Sequence, residues 1–108
     1  SIQLQAVDYN VSWTTGRTKA FWTCPARFNG WKISRVYLHV SSIGSTTGNT
    51  VEIERGGSAL MTVTIDAAVE TATLDTTINT DDIITFDITG TGATASKGLW
   101  VEIEIRYQ

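Results

Sequence analysis

The sequence is short of the residues that build most metal and redox centres. Its 108 residues include one cysteine (Cys24) and one histidine (His39). A lone cysteine excludes a disulfide within the chain, and a zinc site needs several convergent His, Cys, Asp or Glu ligands. We therefore predict no zinc site. Cys24 has apolar neighbours on both sides and is expected to be a small buried residue.

Charge and long apolar runs are scarce as well. Charged residues make up 18% of the chain, whereas about a quarter is usual. The net charge of -3 disfavours the basic surface that nucleic acids require. The chain has no continuous apolar run of about 18 residues or more, so no membrane-spanning helix is predicted. We expect neither nucleic acid nor membrane among its partners.

Carboxylates and glycines are present, but they lack the surroundings that catalysis needs. Glu52 and Glu54 lie two residues apart on a predicted strand, as do Glu102 and Glu104. That spacing of about 7 Å is permissive for a glycosidase, yet any solvated strand face shows it. The loop 44–48 has the sequence GSTTG and lacks the lysine of a phosphate-binding loop. We predict no catalytic residue, no metal and no cofactor.

Strict alternation of apolar and polar residues is the strongest pattern present. The last segment puts Leu99, Val101, Ile103, Ile105 and Tyr107 on one face, and Trp100, Glu102, Glu104 and Arg106 on the other. A period of two predicts a β-strand with one face in a core and one in water. Similar patterns occur in residues 31–43, 50–55, 60–66 and 83–89. Turn dipeptides such as Asn29-Gly30 and Gly56-Gly57 separate them.

These short strands predict an all-β fold. We expect an antiparallel β-sandwich of about eight strands, jelly-roll-like in its connections. An immunoglobulin-like sandwich is the alternative, although the usual Cys…Trp…Cys pattern is missing. Residues 1–12 are predicted to be an N-terminal arm or the first strand, and residues 13–108 a single sandwich domain.

Aromatic residues are the main candidates for a functional surface. Four tryptophans are present, and alternation sends at least one of Trp22 and Trp100 outward. Tyr37 and His39 share the outward face of their predicted strand. An outward aromatic ring forms a protein interface, stacks on a sugar or packs under a loop. We predict an interface or binding role for these four residues.

Three segments together resemble a known family. They are Thr15–Trp22 leading to Cys24-Pro25-Ala26 and Asn29-Gly30, Thr46–Thr50 before Val51-Glu52-Ile53, and Lys97-Gly98-Leu99. In this order they resemble small β-sandwich virion proteins of tailed bacteriophages, which occur as capsid decoration, head-fibre or tail-fibre domains. The resemblance extends over roughly residues 13–107.

The resemblance implies a non-enzymatic structural protein of a phage particle, usually a homotrimer at the particle surface, with capsid or tail proteins as partners. Residues 1–10 lie outside it, and we predict that Ile2, Leu4, Val7 and Tyr9 form a capsid-attachment arm acting by strand addition. The alternative is a receptor-binding domain of a tail fibre that recognises a host-surface glycan. Such a domain needs exposed aromatics beside polar loops such as residues 44–49 and 90–98.

Overall fold

The computed structural model describes residues 1–107, which form eight β-strands. The strands are β1 (Ile2–Ser12), β2 (Gly16–Thr23), β3 (Lys32–His39), β4 (Thr50–Arg55), β5 (Ser58–Thr64), β6 (Val69–Thr77), β7 (Ile83–Gly90) and β8 (Lys97–Arg106). Over these residues the only helical element is a single 3-10 turn, Ala26–Phe28. No helix found among them is long and apolar enough to cross a membrane.

The strands form two antiparallel four-stranded sheets packed as a sandwich. The order is β1-β8-β3-β6 in the first sheet and β2-β7-β4-β5 in the second. Each sheet combines strands from both ends of the chain, and β4-β5 is the one sequential pair among the neighbours. This interleaved order is that of a jelly roll. The predicted jelly-roll sandwich is confirmed, and the immunoglobulin-like alternative is wrong.

The core lies between the sheets and is built from alternate residues of the strands. Its fully buried side chains include Ile33, Val36, Leu38, Val51, Ile53, Ile84, Phe86, Val101 and Ile103. Trp13 closes one end of this core, where its indole Nε1 donates a 2.8 Å hydrogen bond to the carbonyl oxygen of Gly98. The inward faces predicted for the central strands are thus confirmed.

Two side chains differ in exposure from the prediction. Glu54 keeps the outward side that it shares with Glu52, but it is buried instead of solvated, because Asp87 and the Arg17 guanidinium lie next to its carboxylate. The alternation predicts Tyr107 on the inward face of the last strand, but β8 ends at Arg106. Tyr107 is therefore exposed, and its ring meets the edge of Trp31 at 5.3 Å between centroids.

The limits of β1 and β3 differ in part from the segments that the sequence predicts. The predicted strand 31–43 ends at His39, where the backbone leaves the sheet. The first strand begins at Ile2, and it pairs with β8 from Ile2 opposite Ile103. Of the two roles predicted for residues 1–12, the structure shows the first strand. Residue 108 of the predicted domain lies outside the described residues.

Candidate binding surface

Three of the four predicted interface residues lie together on the solvent-facing side of the first sheet. Trp100 on β8 is opposite His39 on β3 and opposite Gln5 on β1. Tyr37 lies two residues along β3 from His39, so both side chains project on the same side. We call Tyr37, His39, Trp100 and Gln5 the aromatic face.

His39 and Trp100 are stacked ring on ring. Their centroids are 3.7 Å apart and their planes differ by 4°. The imidazole covers one face of the indole, yet Trp100 keeps 37% of its surface in solvent. His39 Nε2 is buried without a hydrogen-bond partner, and Glu102 Oε1 lies 4.0 Å from it. Ring contact, rather than hydrogen bonding through Nε2, therefore orients the pair.

Tyr37 is tied to the charged residues of β8. Its hydroxyl donates to Glu104 Oε2 at 3.3 Å, and Ser34 Oγ donates to Glu104 Oε1 at 2.5 Å. The pKa of Glu104 is lowered from its ordinary value, chiefly by the hydrogen bond from Ser34. Desolvation opposes this shift, and the hydrogen bond from Tyr37 and the charges of Arg35 and Arg106 add to it. Tyr37 is half-buried and its hydroxyl is bonded to Glu104, so Trp100 is the most exposed ring of the aromatic face.

A groove runs along the β1 side of Trp100. Its main compartment, of about 330 Å³, is lined by Gln5, Val7, Tyr9, Val40, Ser41, Gly98, Leu99 and Trp100. A second compartment of about 280 Å³ continues it and is lined by Gln3, Leu4, Gln5 and Trp100. His39 lines neither compartment, so the groove lies on the side of the indole that the imidazole leaves free.

A bulge in β1 forms one wall of this groove. β1 passes from Val7 to Ser12 while β8 passes only from Leu99 to Lys97. The extra residues leave the sheet and expose Tyr9 at 69% and Val11 at 51%. Ser41 Oγ anchors the bulge by donating a hydrogen bond to the carbonyl oxygen of Tyr9.

The predicted attachment arm is mostly committed to the sandwich. Ile2, Leu4 and Val7 are partly buried and pack against the core, and β1 pairs with β8 along this stretch. Of the four predicted arm residues, Tyr9 alone presents most of its surface to solvent. Strand pairing with β8 is the physical reason, because the amphipathic half of β1 completes the first sheet.

Trp22 does not lie on the aromatic face. It is partly buried at one end of the second sheet and packs against the core. Its ring centroid is 6.3 Å from that of Phe28, which in turn is 4.9 Å from Trp31. The interface role predicted for Trp22 therefore lacks an exposed ring to support it.

Phe21 takes the outward position on that strand. It is 61% exposed, and Ile83 on the neighbouring strand β7 is 45% exposed. The register pairs Phe21 with Thr85 and Thr23 with Ile83, which makes Phe21 and Ile83 diagonal neighbours on the outer face of the second sheet. Sequence reasoning missed this pair because two adjacent aromatics obscure which of them points inward. The signal that could have found it is Ala20, a small inward residue of the same strand.

The two loops predicted to flank a binding site are bonded to each other. Ser45 N donates to the carbonyl oxygen of Thr94 at 2.9 Å, and Thr94 N donates to Ser45 Oγ at 2.8 Å. Gly92 N donates to Asn49 Oδ1 at 3.1 Å, and a Cβ at Gly44 would collide with the backbone of Thr94. The loops therefore satisfy each other's polar groups, and they support the fold more than they offer contacts to a ligand.

The outer face of the second sheet carries three neighbouring carboxylates. Ligand atoms of Glu52, Glu54 and Asp87 all lie within 4.8 Å of one another, and the last two residues are buried. The Arg17 guanidinium lies 3.4 Å from Glu54 and 4.0 Å from Asp87. Thr18 N donates to Asp87 Oδ1 at 2.6 Å. These partners from β2 make the cluster an ion-pair network of the sheet.

In comparisons with known proteins, no family model, curated protein or solved structure matches this chain. Its function is therefore argued from its own surface. Two features of the described residues stand out on opposite sides of the sandwich: the aromatic face with its groove, and the exposed pair Phe21 and Ile83.

Proposed function

We propose that the chain is a non-enzymatic structural protein of a bacteriophage particle, of the capsid decoration or head-fibre type. It attaches to the capsid and self-associates as a homotrimer at the particle surface. The jelly roll is a fold used by viral capsid domains and lectins, and the sequence resemblance supports the same class. A fold alone assigns no function, so the proposal depends on the surface of the molecule.

The exposed pair Phe21 and Ile83 is the observation that carries self-association. Single exposed apolar residues are ordinary on protein surfaces, but two large neighbours on adjacent strands form a contiguous apolar patch. A closed three-fold arrangement covers such a patch on every protomer with one repeated contact. The aromatic face on the other sheet then points away from that contact.

Size-exclusion chromatography with light scattering tests the proposal. The expected mass is about three times the 11.8 kDa of one chain. Phe21→Lys places a charge in the contact and should shift the mass toward one chain, whereas Trp100→Ala on the opposite face should leave it unchanged. The protein should also be found by mass spectrometry in purified particles of the phage that encodes it. A monomer together with absence from those particles contradicts the proposal.

The groove beside Trp100 favours a second function, that of a glycan-recognising domain of a phage tail fibre. An exposed tryptophan next to uncharged polar side chains is the surface that this role requires. The two functions are compatible, since the groove and the apolar pair lie on different sheets.

A further inference from the structure

We propose that the groove beside Trp100 binds the ring of a neutral pyranose sugar within a glycan. This inference rests on the glycan-recognising function proposed above, whose substrate class it names. It does not depend on self-association, because the residues involved lie on the sheet opposite Phe21 and Ile83.

Trp100 supplies the platform for the sugar. The C–H groups on one side of a pyranose ring form an apolar surface, which an indole face matches in size and shape. One face of this indole is occupied by His39 at 3.7 Å between centroids. The groove opens on its other side, and 37% of the residue is still in solvent. The free side of the ring is therefore the stacking surface.

Gln5 and Gln3 supply polar contacts at the rim of the same surface. Both are exposed, and they lie two residues apart on β1, so their side chains share a face. A carboxamide both donates and accepts hydrogen bonds, as does the hydroxyl of Tyr9 across the groove. Sugar hydroxyls also donate and accept, and they can pair with these groups in several orientations.

The lining explains why the sugar should be neutral. Among residues 1–107, none with a charged side chain lines either compartment. A sialic acid, a uronic acid or a phosphorylated sugar would lose hydration without gaining an ion pair in the groove. Neutral hexoses and N-acetylhexosamines carry no such penalty.

The dimensions suit one ring with a neighbour. The compartment of about 330 Å³ lies at the lower end of the range of about 300–1,000 Å³ found for ligand sites. The second compartment of about 280 Å³ shares Gln5 and Trp100 with it. A glycan can therefore place one sugar against Trp100 and the next along the start of β1.

The site is also held in place before any ligand arrives. His39 supports the indole, and Ser41 holds the bulge that carries Tyr9. Gly98 has a φ of +69°, and a Cβ there would collide with Ser41, so the floor of the groove needs glycine. A site held in its binding conformation loses less entropy when it binds.

A protein partner is the competing occupant of this face. A stable protein interface covers about 800 Å² on each partner around an apolar centre. The row next to Trp100 instead carries Gln3 and Glu102 beside Tyr37, and the row after it pairs Arg35 with Glu104. The aromatic face therefore favours a small polar ligand stacked on one ring.

Two-dimensional ¹H–¹⁵N NMR of the labelled protein tests the proposal directly. Glucose, galactose, mannose, N-acetylglucosamine and N-acetylgalactosamine are titrated separately to millimolar concentrations. We expect at least one of them to cause saturable shifts in the indole N–H signal of Trp100 and the side-chain amide signals of Gln5. Trp100→Ala should weaken binding by roughly tenfold or more, whereas Phe21→Ala, an exposed aromatic on the other sheet, should leave it unchanged.

A pair of substitutions at His39 tests the support given to the indole. His39→Phe retains a ring beneath Trp100 and should retain binding, whereas His39→Ala removes the support and should weaken it. Dispersed NMR spectra of all variants confirm that they remain folded. Equal affinity in the two His39 variants would leave Trp100 as the binding residue and remove the positioning role from His39.

The result that overturns the proposal is an absence of saturable shifts at Trp100 and Gln5 with every sugar. Full affinity in Trp100→Ala overturns it too. A lower oligomer mass for Trp100→Ala by light scattering would show that this face is a protein contact instead. Because Phe21→Lys tests self-association separately, failure of either proposal can be recognised without the other.

The source of the sugar is decided by two further probes. Oligosaccharides released from a bacterial surface polysaccharide and a glycopeptide bearing a neutral mannose-rich glycan both present pyranose rings. Tighter binding of the first assigns the groove to bacterial surface glycans, and tighter binding of the second assigns it to glycoproteins.

Discussion

Replacing Phe86 with alanine is expected to remove a large share of the free energy of unfolding. Phe86 is fully buried at the middle of β7, where it lies opposite Ala20 on β2 and Ile53 on β4. Truncating a buried phenylalanine to alanine costs about 3–5 kcal/mol, because transfer energy is lost and a cavity remains. At about 0.05–0.15 kcal/mol per residue, a domain of 108 residues has roughly 5–16 kcal/mol in total. Phe86→Ala should therefore remove at least about a fifth of this total, and nearly all of it at the lower bound.

Urea unfolding followed by tryptophan fluorescence measures this loss against a matched control. Phe21→Ala makes the same chemical change on the neighbouring strand, at a side chain that is 61% exposed. At protein concentrations low enough for the chain to be monomeric, where self-association adds no stability, it should change the free energy of unfolding by no more than about 0.5 kcal/mol. If Phe86→Ala does not fold, Phe86→Leu is measured instead, with an expected loss of about 1.5 kcal/mol. Equal losses for the inward and outward positions would refute the burial argument.

Three further predictions follow from buried and hydrogen-bonded groups. Burial first, and then the nearby carboxylates of the β6–β7 turn, raise the pKa of the Cys24 thiol above its ordinary 9.0, so alkylation by iodoacetamide should be slow in the native protein and fast in urea. The pKa of Glu104 is lowered from its ordinary 4.5, chiefly by the hydrogen bond from Ser34. The ionised carboxylate of Glu104 therefore stabilises the fold at pH values above 4.5, and this contribution is lost as the pH falls through the lowered pKa. Glu104→Gln should show a smaller acid-induced drop in urea midpoint than the wild type. Trp13→Phe removes the 2.8 Å hydrogen bond to the carbonyl of Gly98 and should lower the free energy of unfolding by about 1–3 kcal/mol, whereas an unchanged urea midpoint would argue against that bond.

Much of the fold was predictable because a half-buried strand imposes a strict local rule. Val36, Leu38, Phe86, Val101 and Ile103 are fully buried as their alternation predicts. Each strand's pattern depends only on its own residues, so the number of strands and the inward faces could be predicted without any partner strand. The jelly-roll order agreed with the prediction, but it arises from pairings between distant segments such as β1 with β8.

The aromatic face was predictable only in part. Alternation sent Tyr37, His39 and Trp100 outward, and the structure agrees. The stacking of His39 on Trp100 depends on the register of β3 against β8, which no local pattern specifies. The exposed Phe21 depended on which of two adjacent aromatics the core could accommodate.

At the bulges, the direction of the side chains differs from what the local alternation predicts. An extra residue shifts every following side chain of a strand to the other face, and β5 carries one, Leu60, where the register passes from Ile53 opposite Met61 to Glu54 opposite Ala59. The longer bulge after Val7 turns Tyr9 and Val11 outward and opens the groove beside Trp100. Alternating sequence thus determined an all-β sandwich and its inward faces, since a two-residue period is local. Strand register and bulges, which depend on contacts between remote segments, placed the surface on which function is proposed.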